Sequence, residues 1–285
     1  MKIQKINFRN WFQFEGEVDN NTKKFLGGLG WIGLILTWWL IAASDIVTDR
    51  ILPSPFAVAA SYFELLMGSD YTYTTVSNLF KELFSSSHLL YHIGFSTLVN
   101  ILGYLEAAVI AIPLGFLIAL FPAPRHILEK PLNAFRYLPI PAAIGIFIAA
   151  FGIGIGVKVN FLAVGILVYL LPVVVQRVLE TDKVHIQTMS TLNATSWQKM
   201  VHLYIPSVMS RVFVDIIVLV AIGWTYITVI EVINNQGGLG GVAVAAGRGR
   251  TDIIYAILAL IILLGTLQDR LMRKVDKRLY RYKYE

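Results

Sequence analysis

Ile186-Gln-Thr-Met-Ser-Thr-Leu-Asn-Ala-Thr-Ser-Trp-Gln-Lys-Met-Val-His-Leu-Tyr-Ile-Pro206 is a moderately polar stretch set between two strongly apolar runs. Ile186, Met189 and Leu192 recur at helical spacing, and so do Trp197, Met200, Val201 and Tyr204. Asn193 between the two sets tolerates the left-handed conformation that ends a helix. Thr195 with Gln198 three residues later reads as a capping box, which starts a new one. Pro206 lacks an amide donor and suits the first turn of a third helix. The spacing predicts two short amphipathic helices with a bend between them, projecting from a membrane protein.

Composition agrees with that setting. Of 285 residues, 56% are hydrophobic and 15% charged, against roughly a quarter charged in soluble domains. Several apolar runs approach the length that crosses ~30 Å of hydrocarbon. The net charge of +6 sits at the ends and between apolar runs. No basic stripe interleaves with stacking aromatics, so no nucleic-acid partner is expected. With no cysteine in the chain, thiolate chemistry and Cys metal sites are excluded. His88 and His92 have i, i+4 spacing but no third ligand nearby, so no metal is expected.

In chain order, residues 1–24 form a polar tail. Phe25–Ala43 is a first span, too long in its apolar core for a cleaved leader. Residues 45–92 are amphipathic. Ser54 as N-cap and Pro55 start one interfacial helix through Leu66, and Val76, Leu79, Phe80, Leu83 and Phe84 mark a second. Further spans are expected at Ile93–Phe121, Leu138–Phe151, Asn160–Val178, Ser207–Ile233 and Ile253–Thr266, with Gly152–Lys158 as a turn. The last runs on as a basic helix, and 269–285 forms a basic tail. The fold expectation is therefore all-α, a polytopic membrane protein of six spans, with residues 93–268 as its core. If both termini are cytoplasmic, nineteen of the twenty-four Lys and Arg lie inside. The five outside are Arg50, Lys81, Lys158, Arg248 and Arg250, a split that puts the 186–206 segment in the cytoplasm.

The bend resembles the coupling segment of ABC-importer permeases, whose pattern is Glu-Ala-Ala, three residues, Gly, then about nine residues and Ile-x-Leu-Pro. Gln187, Thr188 and Met189 take the Glu-Ala-Ala places, Asn193 the Gly place, and Leu203-Tyr204-Ile205-Pro206 the ending. The nitrate/sulfonate/taurine group is resembled further. The carriers are Leu52-Pro53-Ser54-Pro55, Ile112-Pro113-Leu114-Gly115, Arg136-Tyr137-Leu138-Pro139-Ile140-Pro141, Gly152-Ile153-Gly154, Trp224 with Glu231, Gly238-Leu239-Gly240 and Asp269-Arg270. The chain departs where that group usually has Arg, at Asn100, Ile217 and Ile222.

The resemblance implies a permease subunit of an ATP-driven importer, carrying a small solute such as nitrate, a sulfonate, taurine or bicarbonate. It implies a second permease copy, a cytoplasmic ATPase dimer that binds the ATP and Mg, and an extracytoplasmic solute-binding protein. It places ATPase coupling on Gln187, Thr188, Met189, Leu192, Asn193, Ser196, Trp197 and Pro206. The chain itself has no Gly-x-x-x-x-Gly-Lys-Ser/Thr loop, so hydrolysis belongs to a partner. Polar groups in the spans are the candidates for a solute path: Asn100, Glu106, Trp224, Thr228 and Glu231. A carboxylate facing lipid costs ~2.5–3.5 kcal/mol on insertion scales, so Glu106, Asp215 and Glu231 should face protein, water or an interface. Glu231 reads equally as a path residue or as a hydrogen-bond partner of the neighbouring loop. Asp215 is expected to pair with Arg211 at i−4, and Arg248 and Arg250 to be solvated. A membrane enzyme lacks a nucleophile–base pair. A secondary transporter or an uncoupled channel using Glu106 or Glu231 is the alternative.

Overall fold

The computed structural model describes residues 19–44, 47–67, 89–234 and 236–284. The expected interfacial helix around Val76–Phe84 lies outside them. The helices are α1 (Asn20–Ala43), α2 (Pro55–Met67), α3 (Leu89–Leu120), α4 (Pro122–Phe135), α5 (Ile144–Phe151), α6 (Ile155–Leu179) and α7 (Lys183–Thr191). After them come α8 (Ser196–Ile233), α9 (Leu239–Ala245) and α10 (Thr251–Leu279).

α1 begins earlier than its apolar run because Asp19 accepts from the amides of Asn21 and Thr22, at 3.2 and 3.4 Å. Among its residues only Ala42 is buried. Its link to the rest is Trp38, which donates to Pro53 O at 3.0 Å and stacks on Tyr255. α2 starts as the sequence predicts, with Ser54 Oγ accepting from Ala57 N at 3.2 Å.

α3 and α6 form the centre, and small residues set their approach. A Cβ on Gly103 would lie 2.7 Å from Leu162 Cδ2, and one on Gly115 would lie 2.5 Å from Val174 Cγ1. Lipid is as apolar as a leucine, so close packing rather than dehydration holds such helices together. Gly103 meets Leu162 and Gly115 meets Val174, so α3 and α6 run parallel. The connection between them must therefore carry the chain back along the bundle. α8 runs antiparallel to α6: Gly165 sits under the Tyr226 ring, and Arg177 bonds Asp215.

That returning connection is not the single straight helix expected for the third span, Leu138–Phe151. Only Ile144–Phe151 is α-helical there, preceded by one 3-10 turn at Ile140–Ala143. Eight residues rise about 12 Å, far short of ~30 Å. Pro139 and Pro141 keep the chain out of α-helix before Ile144. Pro122–Phe135 and Ile140–Phe151 instead form a pair bent by 90°. The half after the bend is held by a cluster of Ile140, Ile144, Val157, Phe161 and Ile230. Among the described residues, five helices are long and apolar enough to cross a membrane, or six if the bent pair is one crossing.

Contacts sort the helix ends into two faces. The starts of α3, α6 and α10 and the end of α8 meet at a loop face, where His92, Ser96, Lys158 and Glu231 hold residues 236–240. The ends of α6 and α10 meet the start of α8 at the opposite face. There Arg177 bonds Asp215 and Tyr282 Oη donates to Pro206 O at 2.8 Å. This opposite face carries α7 and the bend, and is called the bend face below.

Candidate functional site

The bend is built from caps at each of its ends. Asp182 caps α7 by accepting from Val184 N at 2.8 Å. Asn193 closes the helix with φ 60°, and Ala194 N donates to Met189 O at 3.0 Å. Thr195 Oγ1 accepts from Gln198 N at 3.3 Å while Thr195 N donates to Gln198 Oε1 at 2.8 Å, the reciprocal capping box. Lys199 Nζ bridges the angle to Ser190 Oγ at 2.9 Å. These bonds brace the projection on both sides of the bend.

Pro206 stands in the first turn of the α-helix Ile205–Ile233, as expected. No break separates that helix from the one before it, and together they make one 38-residue helical run, Ser196–Ile233. Met200–Tyr204 forms a π turn, in which Ile205 N reaches back to Met200 O. Widening the turn makes room for the proline ring, which would otherwise crowd the carbonyl four residues earlier.

Side-chain exposure divides the segment. Met200 and Tyr204 pack against the bundle. Leu192 is 72% and Trp197 74% exposed, on either side of the bend. Gln187, Thr188, Asn193, Ser196 and Pro206 are exposed, and Met189 is partly buried. Trp197 is thus largely exposed.

The path candidates separate into two bonded groups and one single residue. Trp224 Nε1 donates to Gln268 Oε1 at 2.7 Å, and Gln268 Nε2 donates to Asn100 Oδ1 at 2.8 Å. The chain of bonds crosses α8, α10 and α3. Its direction fixes the Asn100 amide, whose buried Nδ2 has no partner among the described residues. Glu231 is fully buried and accepts from Ser96 Oγ at 2.7 Å and Gly240 N at 3.0 Å. Beside it, Lys158 Nζ donates to Gln236 O and Gly237 O at 2.8 and 2.7 Å. Of the two readings of Glu231, these bonds are those of the loop partner. Glu106 is half-buried mid-way along α3, with no hydrogen bond or ion pair among the described residues.

Several polar partners were not visible in the sequence. Gln268 looked like one residue of a basic helix, and Lys158 like the last residue of a turn. The Gly152–Lys158 turn is shorter than expected: Gly152 and Gly154 take φ 72° and 143°, and α6 already starts at Ile155. Lys158 therefore stands in a helical first turn and is buried. Asp215 pairs with Arg177, not with Arg211, because α6 brings a guanidinium straight across. Arg211 turns instead to Ser207 and to Glu180 O. Arg250 is not solvated alone; it pairs with Glu64 of α2 at 2.8 Å and with Asp252 at 3.0 Å. The only signal for any of these was a charge beside an apolar run, which names no partner.

α8 and α10 leave a groove of about 810 Å³ between them. Trp224, Thr225 and Thr228 line it from α8, and Leu258, Ile262 and Thr266 from α10. Charged residues, Asp269, Arg270 and Arg273, line only its bend-face end.

The comparisons with known proteins agree with this arrangement. The chain is 24% identical over 253 residues to the taurine transport system permease protein TauC of Escherichia coli (strain K12), covering 88% of this chain and 87% of TauC. It is 21% identical over 251 residues to a putative aliphatic sulfonates transport permease protein, SsuC, of Bacillus subtilis (strain 168), covering 88% and 84%. Its fold is similar to that of a chain in the inward-facing MetNI methionine ABC transporter, with TM-score 0.59 and 16% identity, over 73% of this chain and 99% of that one. Residues 111–281 match the profile of binding-protein-dependent transport system inner membrane components. The chain belongs to that family: it is a membrane transport subunit and not an enzyme.

Proposed function

We propose that this chain is the permease subunit of an ATP-driven importer and forms, with a second copy, the path of a small solute. ATP and Mg are bound by a separate ATPase dimer that docks on the bend. The solute is delivered at the loop face by an extracytoplasmic binding protein. The single observation that carries this reading is the bend itself. Two capped turns, a cross-bond and two exposed apolar side chains form a stiff docking tip rooted in the span that also walls the groove. A floppy loop would absorb motion between partner and path.

The resemblance and the relatives' names suggest an organic anion as the solute. The groove between α8 and α10 supplies an anion's partner only at its bend-face end. The rival reading is a secondary transporter or uncoupled channel using Glu106 or Glu231; bonds already occupy the Glu231 carboxylate, which leaves that reading to Glu106.

Because the chain has no cysteine, a single Thr195→Cys tests the orientation directly. An impermeant thiol reagent should label it in inverted vesicles and not in intact cells. Labelling from outside intact cells would place the bend on the wrong side for an ATPase.

A further inference from the structure

The groove's polar groups have spent their protons. Thr225 Oγ1 donates to Ala221 O at 3.1 Å, Thr228 Oγ1 to Trp224 O at 2.7 Å and Thr266 Oγ1 to Leu263 O at 2.8 Å. A hydroxyl that has given its hydrogen to its own helix offers a solute only lone pairs. Trp224 Nε1 is likewise committed, to Gln268, so the buried indole offers the groove no donor. An anion leaving water needs donors or positive charge to replace its hydration. The groove has guanidinium groups only at its bend-face end, and there Arg273 is engaged by Asp269 at 2.9 and 3.0 Å. Arg270 remains, at the exit of the groove and not along it.

We propose that this groove receives an uncharged solute with an apolar body and hydrogen-bond donors, and not an anion. Its volume of about 810 Å³ is within the ~300–1,000 Å³ of small-molecule sites. Val218, Leu258 and Ile262, all exposed, offer an apolar surface, and the three threonine oxygens accept from N–H or O–H groups of the solute. The proposal rests on the permease reading but departs from the anion that the relatives suggest.

The test uses the full chain with its co-purified ATPase in lipid nanodiscs. Val218→Cys is the reporter, since Val218 lines the groove, is 64% exposed and carries no polar group. The rate of its alkylation by N-ethylmaleimide is measured with benzamide, a neutral amide, and with ethanesulfonate, an alkyl sulfonate anion. Benzamide should slow labelling about fourfold at three times its half-protecting concentration, and ethanesulfonate should not at equal concentration. Adding Thr225→Val and Thr228→Val should raise the half-protecting benzamide concentration about tenfold. Thr225→Ser and Thr228→Ser should restore it. Equal or better protection by ethanesulfonate, or none by benzamide, overturns the proposal. So does a disulfide joining the reporter thiols of two copies, which would mean that a second copy fills the groove. Labelling blocked in nanodiscs but open in detergent would mean lipid fills it, and overturns it too. Loss of the ATPase from the preparation would instead count against the permease reading, whatever the labelling shows.

Discussion

Arg177 and Asp215 tie α6 to α8 through two parallel bonds, Nε to Oδ2 at 2.7 Å and Nη2 to Oδ1 at 2.8 Å. Arg177 also holds Glu180 at 2.8 Å, at the root of α7. The pair therefore fixes the span that carries the bend to the helix that precedes it. Glu180 lies outside the spans, and the Arg177 guanidinium, then the Gln176 amide, hold its carboxyl below the usual range.

Asp215→Asn should leave the guanidinium half-satisfied and lower stability by about 1.5–3 kcal/mol, the range for hydrogen bonds to charged groups. A double-mutant cycle with Arg177→Met, read by thermal unfolding in detergent, isolates the pair. Strict additivity would show that the pair contributes nothing.

Gly240 packs on the turn of α8 that carries Glu231. A Cβ there would fall 2.7 Å from Thr228 O, a backbone atom that cannot swing away. Gly240→Ala is expected to destabilise by about 1–3 kcal/mol. Gly265→Ala meets only Trp224 Cδ1 at 3.4 Å and should be tolerated. Melting temperatures of both variants check the order, and equal losses would contradict it.

The fold was legible where short-range chemistry decides it. Asn193 takes the left-handed turn and Thr195–Gln198 the capping box because each needs only a few neighbouring residues. The long apolar runs were legible for the same reason. The third span was legible in composition but not in shape: Leu138–Phe151 is apolar, yet its start is a 3-10 turn at Ile140–Ala143 and a 90° bend sets it against Pro122–Phe135. The path candidates were legible as polar residues in apolar runs, but not their bonds. Asn100 and Gln268 are 168 positions apart in the chain, and no local pattern announces such a pair. Glu231 meets Ser96 from 135 positions away, again beyond any local pattern.

Glu106 has no bonded partner among the described residues to lose. Glu106→Gln should insert and fold at wild-type yield, since a neutral amide is cheaper in a span. Solute-stimulated ATPase activity of the reconstituted complex is then compared across pH. A flattened profile would assign Glu106 to the cycle. An unchanged rate and profile would remove it from the path candidates.

Glu64 fastens α2 to the start of α10 through Arg250, and that guanidinium, by hydrogen bond first and charge second, holds its carboxyl below the ordinary value of 4.5. A lowered folded-state pKa contributes stability above the unfolded value, and this is lost as pH falls through the folded one. Wild type should therefore exceed Glu64→Gln in melting temperature at neutral pH by about 1–3 °C, as expected for an exposed pair. The gap should close on acidification below the ordinary carboxylate value. A gap that widens in acid would reverse the assigned sign.

Coupling is the centre of the account, and Trp197 is where it is tested most directly. Trp197 is 74% exposed at the tip of a stiff bend, while Gln187 stands where the resembled element has its acidic residue. Docking without that charge must rely on apolar area, and truncating a buried interface Trp commonly costs about 2 kcal/mol or more. The measurement is the amount of ATPase subunit retained on purified, tagged chain for wild type, Trp197→Ala and Gln187→Ala, at equal membrane insertion. Wild type should retain the ATPase, Trp197→Ala should lose most of it, and Gln187→Ala should lose little. Undiminished retention in Trp197→Ala, or a larger loss in Gln187→Ala, would contradict the placement of the coupling contact.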